Sequence, residues 1–236
     1  MLRIIWVVLV AVFVTIPLAT AVMVVATFRS HTPLIDKIVR LWAKSLVKAA
    51  GIDLRREGAE SLDPKQRYIL VANHYSYFDI PCIFAAIDQP IRFMAKVSLF
   101  KIPIFGWAIG RAGFIPIDRK NRRTAVKSFD LAAERIRKGN TIVIFPEEGR
   151  TSTRELRPFQ RGAFLLALKS ELPVVPVAVD GTHEVFGVGA RRITPGVVTV
   201  KVGSVIRTTD YTVREKERLA QDARGQIERM LGLARA

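Results

Sequence analysis

The chain has 236 residues, half of them apolar, with 37 Lys and Arg against 21 Asp and Glu for a formal net charge of +16. That length suits one α/β domain, and the composition excludes disordered, collagenous and low-complexity classes. The charge favours an anionic partner: a phosphorylated substrate, an acidic lipid surface or nucleic acid.

The single cysteine, Cys82, excludes intrachain disulfides and cysteine-based zinc clusters. Three histidines, His31, His74 and His183, make a poor donor set, so no metal is expected.

Residues 4–28 carry no charge. At about 1.5 Å per residue they are long enough to cross a hydrocarbon core of about 30 Å. Pro17 would kink such a helix, which membrane helices tolerate. Three arrangements compete: a full span, a kinked hairpin lying in one leaflet, and a cleaved signal peptide with Ala19-Thr20-Ala21 as its cleavage site. Against cleavage, the apolar run continues through Val22-Met23-Val24-Val25. Arg3 alone precedes the segment, while Arg29, Lys37, Arg40, Lys44 and Lys48 follow it. The positive-inside tendency then puts the rest of the chain on the cytoplasmic side of a membrane.

Over 33–50, Ile35, Ile38, Val39, Trp42 and Leu46 recur at helical spacing opposite a stripe of Lys37, Arg40, Lys44 and Lys48. This predicts an amphipathic helix capped by Thr32 and ended by Gly51. It fits either an interfacial helix on anionic lipid or a helix packed on the protein core. Residues 1–50 thus read as a membrane anchor, an apolar helix over about 4–28 plus the amphipathic one, and 51–236 as one layered domain.

That domain alternates strand-like and helix-like stretches. Strands are predicted at 52–57, 68–72, 92–95, 114–117, 141–145, 173–179 and 197–206, and helices at 79–87, 122–138, 162–170 and 213–233. Such alternation predicts an α/β fold with a largely parallel or mixed sheet flanked by helices.

Three stretches carry chemistry. Asn73-His74-Tyr75-Ser76-Tyr77-Phe78-Asp79 follows a buried strand, where α/β proteins place ligands. Asp79 can accept a hydrogen bond from one ring nitrogen of His74 and leave the other free to take a proton. No G-x-S-x-G elbow accompanies the pair, so the nucleophile it activates is a substrate hydroxyl. The alternative is a capping aspartate beside an incidental histidine.

Phe145-Pro146-Glu147-Glu148-Gly149-Arg150 also follows a strand. Pro146 ends the ladder, Gly149 allows a tight turn, and Arg150 offers a planar donor fork suited to phosphate. Glu147 can orient a basic group or a hydroxyl. Alternatively, this is a polar loop with a surface Glu/Arg pair. Lys96 and Arg119 each lie just past a short apolar strand, where most lysines and arginines are solvated surface charges.

Together, N-H-x-x-x-x-D (73–79), G-x-x-x-I-x-R (113–119), F-P-E-x-x-R (145–150) and Val174-Val175-Pro176-Val177 resemble the four ordered blocks of the glycerolipid acyltransferases, and among these the 1-acylglycerol-3-phosphate acyltransferases. The resemblance covers roughly residues 50–210. It implies a catalytic domain over 51–236 that moves an acyl group from a thioester, acyl-CoA or acyl carrier protein, to the free hydroxyl of 1-acylglycerol-3-phosphate, giving phosphatidic acid. No further cofactor is implied.

His74 would be the general base and Asp79 its orienting partner, with no acyl-enzyme. Lys96, Arg119 and Arg150 would hold the acceptor phosphate, Glu147 and Gly149 would belong to the acceptor site, and Asn73, Pro146 and Pro176 would support it. The third block departs from the usual F-P-E-G-T-R, placing Glu148 and Gly149 in the middle. Residues 102–109 would line an acyl tunnel, dip into lipid or form an ordinary buried helix.

A different lysolipid headgroup is an alternative within the same chemistry. In another class stands a non-catalytic basic protein on anionic lipid or nucleic acid. The hydrophobic segment and the lack of a recognisable binding motif make nucleic acid an unexpected partner.

Overall fold

Two helices open the chain. α1 (Leu2–Phe28) continues unbroken through Pro17. α2 (Pro33–Ala50) starts at Thr32, whose hydroxyl accepts from the Leu34 amide, and stops at Gly51 in the left-handed region (φ 74°). In the computed structural model, which describes residues 2–29, 32–118, 122–137 and 139–233, the two form an antiparallel pair. Arg3 donates to the Ala50 carbonyl (3.3 Å), and the Trp42 indole donates to the Thr15 hydroxyl (2.9 Å).

The apolar stripe of α2 faces the protein. Ile35, Ala43, Val47 and Ala50 are buried, and Ile38, Val39 and Trp42 pack on the same core. Packing therefore accounts for the periodicity, with Leu34 and Leu41 left outside. α1 is different: Val7, Ala19, Val22 and Ala26 are buried, while Leu2, Phe13 and Phe28 are among its many exposed large side chains. It is long and apolar enough to cross a membrane.

Seven strands follow: β1 (Ile52–Glu57), β2 (Ile69–Ala72), β3 (Ile91–Lys96), β4 (Ile115–Ile117), β5 (Thr141–Ile144), β6 (Val174–Asp180) and β7 (Gly196–Val202). They form one sheet in the order β1-β7-β6-β2-β5-β3-β4. β6, β2, β5, β3 and β4 run parallel. β7 is antiparallel to β6 and parallel to β1, so the sheet is mixed, as expected. Pro176 lies inside β6 beside Val71 of β2. Its missing N–H does no harm there, because the β6–β7 register begins at Val177.

Period-two alternation puts helices on both faces. Leu70 and Ala72 of β2 join the core shared with α1, α2, α3 (Asp79–Ala86) and α4 (Phe105–Arg111). Ile69 and Val71 point into the opposite core, with α5 (Arg122–Arg137), α6 (Gly162–Ser170) and α8 (Lys216–Met230). Each fully buried side chain of the size of Ile83 or Phe93 contributes roughly 1.5–3 kcal/mol of transfer free energy. Cys82 is fully buried in α3.

The elements differ from the sequence expectation mainly at their ends. The last strand stops at Val202, where the Gly203 amide turns to the Pro176 carbonyl (2.8 Å), and Ile206 makes only an isolated bridge to Val174. The closing helix opens with a 3-10 turn over Val213–Glu215 under a Thr212–Glu215 capping box. A short helix α7 (Thr182–Phe186), absent from the sequence reading, follows β6.

Candidate active site

The carboxyl ends of β2, β5, β3, β4 and β6 share one edge of the sheet, because all five strands are parallel. His74 comes just after β2, residues 145–150 just after β5, and Lys96 closes β3. Arg119, expected past β4, lies outside the described residues.

His74 is largely buried, its ring stacked on Phe145 at 4.0 Å between centroids. Its Nδ1 lies 2.8 Å from Asp79 Oδ2. An ionised carboxylate only accepts, so Nδ1 donates to Asp79 and Nε2 is the ring nitrogen left over. Asp79 is fully buried in the first turn of α3, and its Oδ2 also accepts from the amides of Tyr75 and Ser76 at 2.8 Å each. Its Oδ1 accepts from the Thr182 hydroxyl of α7. The carboxylate is thus satisfied at every approach, as a buried charge must be. The Ser76 hydroxyl donates to the Phe186 carbonyl (2.7 Å), so it is committed to structure rather than poised as a nucleophile.

Asn73 and Glu147 frame the histidine. The Asn73 side-chain amide donates to the Val179 carbonyl (2.9 Å) and accepts from the Val179 amide (2.7 Å), copying a ladder pair between β2 and β6. Glu147 is 2 % exposed, and its two carboxylate oxygens accept from the backbone amides of His74 and Arg157, each at 2.8 Å. Burial raises its pKa above the ordinary glutamate value, although the two amides pull it down. Glu147, expected to belong to the acceptor site, ties the turn after β5 to the backbone on which His74 stands.

The turn after β5 differs from expectation in one respect. The left-handed residue is Glu148 (φ 55°) rather than a glycine, at the position where the resembling block carries one. Gly149 has no positive φ, and the nearest atom to a Cβ placed there is the tip of the exposed Arg157 side chain, 2.9 Å away. Pro146 is buried, and its carbonyl accepts from the Gln160 amide (2.9 Å). Beyond it the Arg150 guanidinium lies over the Tyr77 ring, 3.4 Å from the centroid. Lys96 is exposed at the same edge.

An apolar cavity of about 460 Å³ lies under α1 and α2 and is lined at the loop after β2 by Tyr77 and Phe78. α4, in the segment suspected of lining a tunnel, contributes Phe105, Ala108 and Ile109 to its wall, while Trp107 is exposed outside. Tyr77, Phe78 and Phe186 close the end next to the His74–Asp79 pair.

Residues 53–180 match the family model described as Acyltransferase, more than half of the chain. The chain belongs to the acyltransferase family. Its relatives include proteins named 1-acyl-sn-glycerol-3-phosphate acyltransferase: one from Brassica napus, 33% identical over 66% of this chain and 45% of that one. Another is from Saccharomyces cerevisiae, 31% identical over 75% and 59%, and the alpha form from Homo sapiens is 30% identical over 80% and 67%. The chain therefore spans about half the length of several curated relatives it matches. In fold it is similar to the crystal structure of the 1-acyl-sn-glycerophosphate acyltransferase PlsC from Thermotoga maritima, with a TM-score of 0.83, 24% identity, and 97% and 93% of the two chains covered.

Thr182 and Tyr77 were not singled out from sequence. Thr182 lies 103 residues from Asp79, and no spacing rule links them. The signal that could have found it is position: a polar residue just past a buried strand of the same sheet. Tyr77 sits inside the first block, but an aromatic there reads as packing until Arg150 is seen above it.

Proposed function

We propose that this protein transfers a fatty acyl group from a thioester to the free hydroxyl of 1-acylglycerol-3-phosphate, releasing phosphatidic acid and a thiol. The observation that carries the reading is the His74–Asp79 pair beside an apolar cavity, with the Nδ1 proton held by a fully buried carboxylate.

His74 Nε2 takes the proton of the acceptor hydroxyl as its oxygen attacks the thioester carbonyl. The imidazolium that forms is stabilised by Asp79, held in turn by Thr182. Collapse of the tetrahedral intermediate breaks the C–S bond, and the imidazolium returns its proton to the departing sulfur. Among the described residues, the Ser76 hydroxyl is bonded to the Phe186 carbonyl and Cys82 is buried, which supports direct attack by the acceptor hydroxyl.

The cavity takes an acyl chain, whose apolar surface its walls match. Arg150, with Lys96 and Arg119, holds the acceptor phosphate, and Glu148 and Gly149 belong to the turn that carries Arg150 to it. The uncovered side of α1 rests in lipid, with the domain on the cytoplasmic face and its positive charge drawn to an anionic surface. Acyl-CoA and acyl carrier protein both fit as donors, with no additional cofactor.

The test is radiolabelled acyl thioester and lysophosphatidic acid given to membranes carrying the protein. His74→Ala lowers kcat by at least about a hundredfold, the scale of general-base catalysis, while acceptor binding persists. Ordinary turnover by that variant would remove the general-base assignment. Arg150→Ala raises the acceptor KM with kcat little changed, as expected of uniform binding.

A further inference from the structure

We propose that Tyr77 is a positioning residue for the acceptor phosphomonoester, holding the Arg150 guanidinium face-down so that its N–H edge points free. This rests on the reading of Arg150 as a phosphate ligand. The guanidinium carbon stands 3.4 Å from the ring centroid, a stacked cation–π contact. Tyr77 is 61% exposed, so burial is not what holds the ring in this place. Among the described residues no carboxylate pairs with Arg150, which the Tyr77 ring alone restrains.

The difference matters chemically. A carboxylate partner would occupy the in-plane donors that a phosphate needs and would cancel the charge. A ring face restrains the plane of the guanidinium and uses none of its five donors.

Two further observations give Tyr77 this task. The loop that carries it is fixed by the Asp79 carboxylate, which binds the amides of Tyr75 and Ser76 and also orients His74. The base and the ring beneath the phosphate anchor are therefore carried by one turn, the one that Asp79 fixes. Tyr77 also lines the end of the apolar cavity, near Phe186 at 6.2 Å between centroids. One ring thus stands between the acyl pocket and the cation.

The experiment measures initial rates of the full-length protein in membranes with lysophosphatidic acid as acceptor and palmitoyl thioesters of coenzyme A and of acyl carrier protein as donors. Wild type, Tyr77→Phe, Tyr77→Leu, Arg150→Ala and the Tyr77→Leu/Arg150→Ala double variant are compared. Tyr77→Phe keeps the acceptor KM within about twofold, because the ring face remains. Tyr77→Leu raises it about three- to thirtyfold, with kcat and donor KM little changed, the range that loss of a cation–π contact spans. The double variant is no worse than Arg150→Ala alone, since the two residues act as one unit.

Additive effects in the double variant, or a Tyr77→Leu defect in donor KM or kcat instead of acceptor KM, would overturn the proposal. If Arg150→Ala raises the acceptor KM and Tyr77→Leu does not, the positioning role alone fails. If Arg150→Ala leaves that KM unchanged, the phosphate reading of Arg150 fails first and takes this inference with it.

Discussion

Two buried carboxylates organise the site from opposite sides, and each illustrates how one residue carries several constraints. Asp79 gathers the His74 ring, two amides of its own loop and a hydroxyl from α7. Glu147 joins the β5 turn to the backbone of His74. A neutral amide cannot replace it, because Gln accepts at one atom only and presents its NH₂ to the second amide. Glu147→Gln should cost about 1–3 kcal/mol of stability and lower kcat through a displaced His74. Because burial raises the pKa of Glu147, the folded state binds this proton more tightly than the unfolded chain does. Its contribution to stability is complete below the ordinary glutamate value and is lost as pH rises through the raised one. Urea unfolding at a series of pH values should show the gap between wild type and Glu147→Gln narrowing upward through that window; a widening gap would mean that the two amide bonds outweigh desolvation.

Helix α2 is fastened to the domain by polar contacts as well as by its apolar stripe. Arg92 of β3, 3% exposed, donates to Asp36 at 2.6 Å, and Arg40 donates to the carbonyls of Ile87 and Asp88 at the end of α3. Asp36→Ala leaves the Arg92 charge buried without its carboxylate and should destabilise by about 3 kcal/mol in a denaturant titration. Replacing both partners with apolar residues, Asp36→Leu with Arg92→Met, should recover much of the loss. Most elements were legible from period and punctuation: residues 162–170 form α6 as read, and β2 and β5 lie within the runs expected for them. Within the site, the pairing of His74 with Asp79 was legible because five residues place a strand end against a helix start. The contacts of Thr182, Tyr77 and Glu147 were not, because each joins segments that only the sheet order brings together. The role of the α2 stripe was open for another reason: packing on protein and lying on lipid demand the same spacing.

At the scale of the molecule, the apolar cavity and the His74–Asp79 pair lie next to each other at the carboxyl ends of the parallel strands. Five parallel strands deliver their carboxyl ends to a single edge, and the α1–α2 pair roofs the cavity that reaches it. Sequence alone separated the first fifty residues as an anchor, and it had no means of showing that Val7, Ala19 and Val22 would share a core with Leu70 and Phe93. The roof has a practical consequence. Trimming residues 1–50 to obtain a soluble fragment would strip Val7, Trp42 and Ile38 from the cavity, opening it to solvent as a trough. Such a fragment should aggregate or, if kept dispersed in detergent, bind a fluorescent acyl probe far more weakly than the intact chain. Equal probe affinity would show the sheet side sufficient by itself. The hairpin is thus half of the cavity's wall, and under the proposed reaction whatever loosens its seat should blur which acyl chains fit.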